Sequence, residues 1–371
     1  MVSPFAVTVD ASVLGGQSRR VGLGRFTTTL LDGLARRDDV VVTALAPRGA
    51  ALPTGVRRHR ARRLGRGRFE AIDAAARSGY DARRAGGDVL HVPAGLPPLW
   101  PAHPWVHTLH DVIPLVRADG EHPSASHQWR RLGPRLRRAN LVVAVSRFSA
   151  DAGIAALGLD PRRVEVVHPG LDRSFAPAPE VAAGATAGDG PAELLVVGEL
   201  SHRKGLVRAV AVLDLLGDVG ADVVLNVVGP VPAAQRAAVE AVLARSRFPE
   251  RARLAGFVDD VAGCYHRAAC FLGVSRYEGF GLPAAEAMAC GTPVVAFANT
   301  ATTEVVGEGG VLVADGDVAA MANAVQRVLQ EPALADELRG RGLARAQAFH
   351  PDTAAAAYVE AYRTVAGAAV S

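Results

Sequence analysis

Short apolar runs of strand length alternate with helical patterns along nearly the whole chain. In the first half the runs are 4-PFAVTV-9, 40-VVVTAL-45, 88-DVLHV-92, 105-WVHTL-109 and 140-NLVVAV-145. Between the first two, 22-GLGRFTTTLLDGLARR-37 has spaced apolar positions, with Leu30, Leu31 and Leu34 on one side of a helix. Strands alternating with helices predict βα units and parallel sheets. The stretch 176-APAPEVAAGATAGDGP-191 has no periodicity and is dense in Pro, Ala and Gly, so it reads as a linker. The alternation then restarts with 193-ELLVV-197, 222-DVVLNVV-228, 270-CFLGV-274, 293-PVVAF-297 and 310-GVLV-313, and helices follow near 316–330, 333–348 and 353–368. The pattern predicts an α/β protein of two doubly wound domains facing a cleft.

Composition agrees with that division. A length of 371 residues suits two domains better than one, and 49% hydrophobic residues supply ample core. Residues 1–180 hold 26 arginines against 16 acidic groups, whereas residues 181–371 hold 15 basic against 21 acidic groups. One half is basic and the other acidic, as expected of domains with different duties. Three cysteines, Cys264, Cys270 and Cys290, have no C-x2-C spacing, which argues against a disulfide framework or a zinc site and for a reducing compartment. The start MVSPFAVTVD does not read as a signal peptide, and no window reaches the roughly 18 uncharged apolar residues of a membrane span. The expected location is the cytoplasm, with peripheral attachment at the inner membrane face left open.

Of 41 basic residues only one is a lysine, Lys204. It stands in 195-LVVGELSHRKGLVRAV-210, where a strand ends at Gly198, a polar loop follows and a helix begins near Gly205. Ligands of open parallel sheets bind beyond the carboxyl ends of strands. A loop there that holds Arg203 and Lys204 before a helix N-terminus offers two cations and free N–H groups to an anion such as diphosphate. The competing reading is a solvated basic turn.

A second loop of this kind lies in 270-CFLGVSRYEGFGLPAAEAMACGTPVVAF-297. The turn Gly279-Phe280-Gly281 opens a helix, Pro283 suits its first position and Gly291 its C-terminal cap. Glu278 sits in the turn and Glu286 eight positions later inside the helix. Each carboxylate can accept hydrogen bonds from vicinal hydroxyls, one from a sugar ring and the other from a ribose. The bland alternatives are a turn carboxylate favoured by the helix dipole for Glu278 and a solvated helix position for Glu286. Ala285, Ala287 and Met288 point to partial burial of Glu286, and a buried carboxylate has a partner.

The segment EGFGLPAAEAMACGTPVV resembles the E-x7-E signature of retaining glycosyltransferases of the GT-B fold, family GT4 (glycosyl transferases group 1). The resemblance covers nearly the whole chain through 22-GLGRFT-27, 110-HDVIPL-115, 145-VSRFSADA-152, 168-HPGLD-172, VGELSHRKG, 254-LAGFVDD-260 and 304-EVVGEGGVLV-313. It implies an N-terminal Rossmann-like acceptor domain over 1–178, a nucleotide-sugar domain over 179–350, and a C-terminal helix within 351–371 that crosses back. It implies that Arg203 and Lys204 bind the donor diphosphate, that Glu278 contacts the transferred sugar, and that Glu286 contacts the ribose. Gly198, Gly279, Phe280, Gly281 and Leu282 belong to the same donor site. His110, at the end of its strand, would hydrogen-bond a sugar hydroxyl, although a histidine at a strand end is often only a surface residue. His110, Glu278, Arg203 and Lys204 form the implied catalytic set. Gly22 and Gly24 would line the donor phosphate and acceptor, unless Gly15-Gly16 takes that place.

The implied reaction moves a hexose from a nucleotide-diphosphate sugar to an acceptor hydroxyl with retention, on a glycan, lipid-linked or small-molecule acceptor. GLGRFT and HDVIPL look most like mannosyl- and related transferases, a lean towards a GDP-mannose-like donor over a UDP-sugar. The alternatives are a nonhydrolysing sugar-nucleotide epimerase and a non-catalytic sugar-nucleotide-binding subunit. The D-x-D of Asp315 and Asp317 could suggest a metal, but Asp317 reads as a helix N-cap, so no metal or other cofactor is expected. Arg276 stands where relatives commonly have other residues and adds a third cation near the donor; Glu199 is expected to face away. The run Arg57–Arg68 carries seven arginines in twelve residues. It could meet an anionic acceptor or membrane surface, or be a solvated loop. Nucleic acid is not expected, because no aromatic residues interleave for stacking.

Overall fold

The computed structural model describes residues 4–15, 22–61, 70–101, 103–116, 127, 129–131, 133–178 and 190–368. The chain forms two compact units, Met1–Asp172 with His350–Ser371, and Arg173–Phe349.

Unit 1 is built on strands β1 (Phe5–Asp10), β2 (Val40–Ala46), β3 (Arg57–Arg60), β4 (Val89–Val92), β5 (Trp105–Leu109), β6 (Leu141–Ala144) and β7 (Val164–Val166). They form one sheet in the order β3-β2-β1-β4-β5-β6-β7 with parallel pairing throughout. Unit 2 carries β8 (Ala192–Val197), β9 (Val223–Val228), β10 (Ala252–Gly256), β11 (Cys270–Gly273), β12 (Val294–Ala298) and β13 (Val311–Ala314). Their order is β10-β9-β8-β11-β12-β13, again parallel. Both sheets reverse direction beside their first strand, between β1 and β4 and between β8 and β11. In doubly wound sheets that reversal opens a crevice at the carboxyl ends, where ligands bind.

The longer helices are α1 (Gly22–Ala35), α2 (Glu70–Ala85), α3 (Arg147–Leu157), α4 (Leu206–Asp218), α5 (Arg236–Ala244), α6 (Val261–Arg267), α7 (Leu282–Ala289), α8 (Thr300–Val306), α9 (Val318–Gln330), α10 (Pro332–Ala346) and α11 (Pro351–Ala368). Their ends follow local chemistry. The Ser146 hydroxyl accepts the Ser149 N–H at 3.0 Å to start α3, and Gly158 ends it in the left-handed conformation (φ 64°). Asp317 accepts the Ala320 N–H at 2.9 Å and caps α9, as its place in the sequence predicts.

Phe26, Leu30, Leu31 and Leu34 of α1 pack with Tyr358, Val359 and Tyr362 of α11 on the valines of β1, β2 and β4, so α11 completes the core of unit 1. A polar thread runs through that core. His91 Nε2 is 2.8 Å from Thr108 Oγ1, Thr108 Oγ1 is 3.0 Å from the Tyr358 hydroxyl, and the Tyr362 hydroxyl is 2.7 Å from His91 Nδ1. Each buried polar atom of the thread therefore has a partner, which offsets its loss of water. Burial, followed by the neighbouring His107 and His110, pushes the His91 pKa well below its ordinary value.

Three strands differ from the sequence reading. Residues 57–60 of the arginine run are not loop but edge strand β3, paired with Thr43–Ala46 of β2. Arg58 donates to the Pro47 and Ala50 carbonyls, while Arg57 and Arg60 stay exposed. Residues 62–68 of that run lie outside the described residues, as do 179–189 of the linker and Gly16. Gly15 is accounted for by packing, since a Cβ there would lie 2.4 Å from Pro47. The short strands β7 and β10, Val-Glu-Val and Ala-Arg-Leu-Ala-Gly, have no apolar run that marks them in the sequence. Among the described residues no helix is long and apolar enough to cross a membrane.

Candidate active site

The loops after β8 and β11 are neighbours at the reversal of the unit 2 sheet, and they bring Arg203, Lys204 and Glu278 together. Lys204 Nζ donates to Glu278 Oε1 at 2.7 Å, and Arg203 Nη1 lies 3.3 Å from Glu278 Oε2. The same Arg203 nitrogen donates to the Tyr277 carbonyl at 2.8 Å, and the Arg276 N–H donates to the Arg203 carbonyl at 2.8 Å. Burial alone would push the Glu278 pKa up; the charges of Lys204 and Arg203 outweigh it and hold the carboxyl at about 2. The cluster is thus one carboxylate between two basic side chains, with one positive charge in excess.

Glycine makes this arrangement possible. At Gly198, directly after β8, φ is 151° and a Cβ would come within 2.9 Å of Lys204 Cε, so the missing side chain leaves room for the lysine stem. Gly205, at φ 71°, ends the turn His202–Lys204, and a Cβ there would meet the Val274 carbonyl at 2.1 Å. The two loops can therefore close on one another only with glycine at 205, while glycine at 198 gives Lys204 its path to the second loop. The role expected of Gly198 towards a ligand is indirect in this geometry, because what it borders is Lys204. Glu199 is exposed.

Glu278 leads into α7 through Gly279, Phe280 and Gly281, the last at φ 99°. Gly279 and Gly281 are buried and Leu282 half-buried. The Phe280 ring turns into the core, edge-on to Phe349 with centroids 5.3 Å apart, so any ligand contact from Phe280 falls to its backbone. Glu286 is not a solvated helix position. It is 2% exposed, and its Oε2 accepts the Tyr265 hydroxyl at 2.9 Å. Tyr265 comes from α6, and its carbonyl accepts the Thr292 hydroxyl at 2.7 Å. The two glutamates are therefore in different settings, one among cations at the strand ends and the other almost wholly buried beside Tyr265 within unit 2.

Sequence reasoning missed the groups around them. Tyr265 carries no motif that marks it as the partner of Glu286. Asn299 donates through Nδ2 to the Ser275 carbonyl at 3.0 Å and to Asp315 Oδ1 at 2.8 Å, and Arg208 Nη1 donates to the same Asp315 oxygen at 2.8 Å. Asp315 is thus engaged by side chains of its own unit. Burial raises its pKa, but the bonds from Asn299 and Arg208 prevail and lower it. Among the described residues no cluster of three or more His, Cys, Asp or Glu could hold a metal ion.

In unit 1, His110 follows the last residue of β5. Its Nε2 is 2.7 Å from the Pro93 carbonyl, which can only accept, so Nε2 carries the hydrogen and Nδ1 is left as an acceptor. The ring stands edge-on to Phe26 of α1 at 4.7 Å. Burial lowers its pKa to about 4, against a smaller opposing pull from the Pro93 bond, so the ring is neutral at physiological pH. Of the glycines that open α1, Gly22 is exposed and Gly24 buried. The α1 start and His110 thus share one region of unit 1, joined through Phe26.

Comparison with known proteins covers both units. Residues 191–331 match the family model described as Glycosyl transferases group 1, and residues 21–175 match that of Glycosyltransferase Family 4. A 2-deoxystreptamine glucosyltransferase of Streptomyces kanamyceticus is 34% identical over 236 residues, covering 60% of this chain and 59% of the relative. A D-inositol 3-phosphate glycosyltransferase of Rhodococcus opacus is 32% identical over 282 residues, covering 70% and 62%. The chain spans about three fifths of the length of these curated relatives. In fold it is similar to Anabaena HepE solved in complex with UDP-glucose, with TM-score 0.70 and 19% identity over 97% of this chain and 99% of that one.

Proposed function

The chain belongs to the group 1 glycosyltransferases of family GT4 and has their GT-B fold, and from that premise we propose that it transfers a hexose from a nucleoside-diphosphate sugar to an acceptor hydroxyl with retention of configuration. The observation that carries this reading is the Lys204–Glu278–Arg203 cluster at the sheet reversal of unit 2. The donor diphosphate takes the place beside Lys204 and Arg203, and Glu278 accepts hydrogen bonds from the hydroxyls of the sugar to be moved. Glu286 serves the ribose and His110 accepts from a sugar hydroxyl through Nδ1.

In the reaction the bond between the anomeric carbon and the phosphate oxygen breaks as the acceptor oxygen bonds to that carbon. The acceptor proton passes to the departing phosphate oxygen, whose growing negative charge faces two fixed cations. Preorganised charge of this kind costs no rearrangement during the step. The chemistry asks for no metal.

A UDP-sugar is the first donor to test, since HepE was solved with UDP-glucose. GDP-mannose is the second, since the loop motifs lean towards mannosyl transfer. The two curated relatives are named for a cyclitol and an aminocyclitol acceptor, so small polyhydroxylated rings are the first acceptors to offer. The exposed Arg57 and Arg60 leave an anionic acceptor or membrane surface within this reading.

The test is a thermal-shift screen of UDP, GDP, TDP and ADP, free and as sugar conjugates, followed by acceptor-dependent release of nucleotide. A ligand at a hundredfold excess over its Kd stabilises by about 2.7 kcal/mol. One responding base, with nucleotide released only when acceptor is present, supports transfer. Binding without acceptor dependence would move the reading to an epimerase or a binding subunit.

A further inference from the structure

Thr300, the first residue of α8, has φ 43°. Every other described residue with positive φ is a glycine. A β-branched side chain in the left-handed region is strained, and strain of this kind persists where the surroundings over-determine it. Glycine would sit there without strain, so the side chain itself is what the position retains.

That side chain has a defined task. The Thr300 hydroxyl accepts the backbone N–H of Glu278 at 3.1 Å and lies 3.2 Å from Asn299 Oδ1, to which it donates. One residue on, the Ala301 N–H points to the Glu278 carbonyl at 3.4 Å. Both polar groups of the Glu278 backbone are therefore addressed from the start of α8. Asn299 is itself fixed through its amide, on the Ser275 carbonyl and on Asp315, and Asp315 is fixed by Arg208. A continuous chain of hydrogen bonds thus runs from Arg208 to the peptide that carries Glu278. Lys204 and Arg203 hold the carboxylate at its far end.

We propose that Thr300 is a positioning residue whose hydroxyl, held in a strained backbone conformation, aims the Glu278 carboxylate at the donor sugar. The proposal rests on the reading of Glu278 as the sugar contact. Its signature is a separation of activity from stability. Activity follows the hydroxyl, which serine keeps and alanine and glycine lose. Stability follows the backbone, which glycine relaxes and alanine does not.

The experiment compares the full chain with Thr300→Ser, Thr300→Ala, Thr300→Gly and Glu278→Gln. Two things are measured: the thermal midpoint, and kcat and KM for release of nucleotide from UDP-glucose and GDP-mannose, by water or by acceptor. Thr300→Ser is expected within about threefold of wild-type kcat, and the alanine and glycine variants roughly tenfold or more below it with KM little changed. Thr300→Gly is expected to melt at or above wild type and above Thr300→Ala. Wild-type turnover in Thr300→Gly, or kcat values that simply track the midpoints, overturns the assignment of Thr300 and leaves Glu278 untouched. Full turnover in Glu278→Gln, or none in the wild type on either donor, removes the reading of Glu278 and Thr300 with it.

Discussion

Lys204 Nζ and Glu278 Oε1 lie 2.7 Å apart, with side chains only 9% and 14% exposed, although 74 residues separate them in sequence. A lysine reaches this carboxylate because Gly198 clears a path for a narrow stem. The planar fork of arginine needs more width. Lys204→Ala and Lys204→Arg are both expected to weaken UDP or GDP binding by about 1.5–3 kcal/mol, the worth of a hydrogen bond to a charged group. Calorimetric titration measures this. A Lys204→Arg variant that binds nucleotide as wild type does would show that the charge alone matters and the width does not.

Charge neutralisation by Lys204 and Arg203 leads to an expectation about metals. Turnover on a sugar nucleotide should be the same after dialysis against EDTA as before, within about twofold. Loss of activity on chelation, restored by a divalent cation, would show that the two side chains do not suffice.

His110 donates through Nε2 to Pro93 and is neutral down to about pH 4. An unshifted histidine would put an inflection near pH 6.5 in the kcat profile. The profile is expected to be flat from pH 5.5 to 7.5 as far as this residue is concerned, while His110→Ala lowers turnover. Comparison of the wild-type and variant profiles tests this: an inflection near 6.5 that disappears in the variant contradicts a neutral acceptor.

Stability should respond to acid through two other histidines. Burial, with smaller like-charge effects, puts the His91 pKa well below its ordinary value and that of His107 at about 3. The unfolded chain takes up protons near pH 6.5 while the folded one does not. The contribution is therefore fully present above 6.5 and is lost as pH falls towards the folded values. Each histidine removes about 1.4 kcal/mol per pH unit within that window. Urea unfolding at pH 7 and pH 5 should show the loss in unit 1, reduced in a His107→Gln variant.

Tyr265 and Glu286 form a pair with both members buried. Tyr265→Phe removes the hydroxyl but keeps the ring, which leaves a buried carboxylate short of one donor. A loss of about 1–3 kcal/mol is expected in denaturant unfolding. Recovery of most of it at a pH low enough to protonate Glu286 would identify the carboxylate as the cause; an unchanged midpoint would show that other groups satisfy it.

The Val-rich strands were legible because a strand buried on both faces must be apolar almost throughout, as in 223-VVLNVV-228. β3 was not, because an edge strand needs only backbone pairing on one side and can carry Arg-Arg-His-Arg outward. Lys204 stood out as a solitary lysine, and Glu278 lies in a glycine turn that any reader would stop at. Nothing local marks Thr300, Asn299 or Tyr265. Their importance comes from a backbone angle at Thr300 and, in all three cases, from a partner 21 or more residues away, and neither is written in periodicity. The burial of the Phe280 ring was hidden likewise, since the same turn could have faced either way.

The return of α11 to unit 1 has a consequence for biosynthesis. Unit 2 is continuous from Arg173 to Phe349, whereas unit 1 lacks Tyr358 and Tyr362 until the segment that follows unit 2 has left the ribosome. Nascent domains ordinarily fold in order of emergence. Here the first unit to begin is the last to finish, and until then His91 and Thr108 have no hydroxyl from α11 to bond. Ribosome-bound chains halted before residue 351 should accordingly be cut by protease in the first unit and resist in the second. A stop codon between Phe349 and Tyr358 would thus strike the unit made earlier of the two.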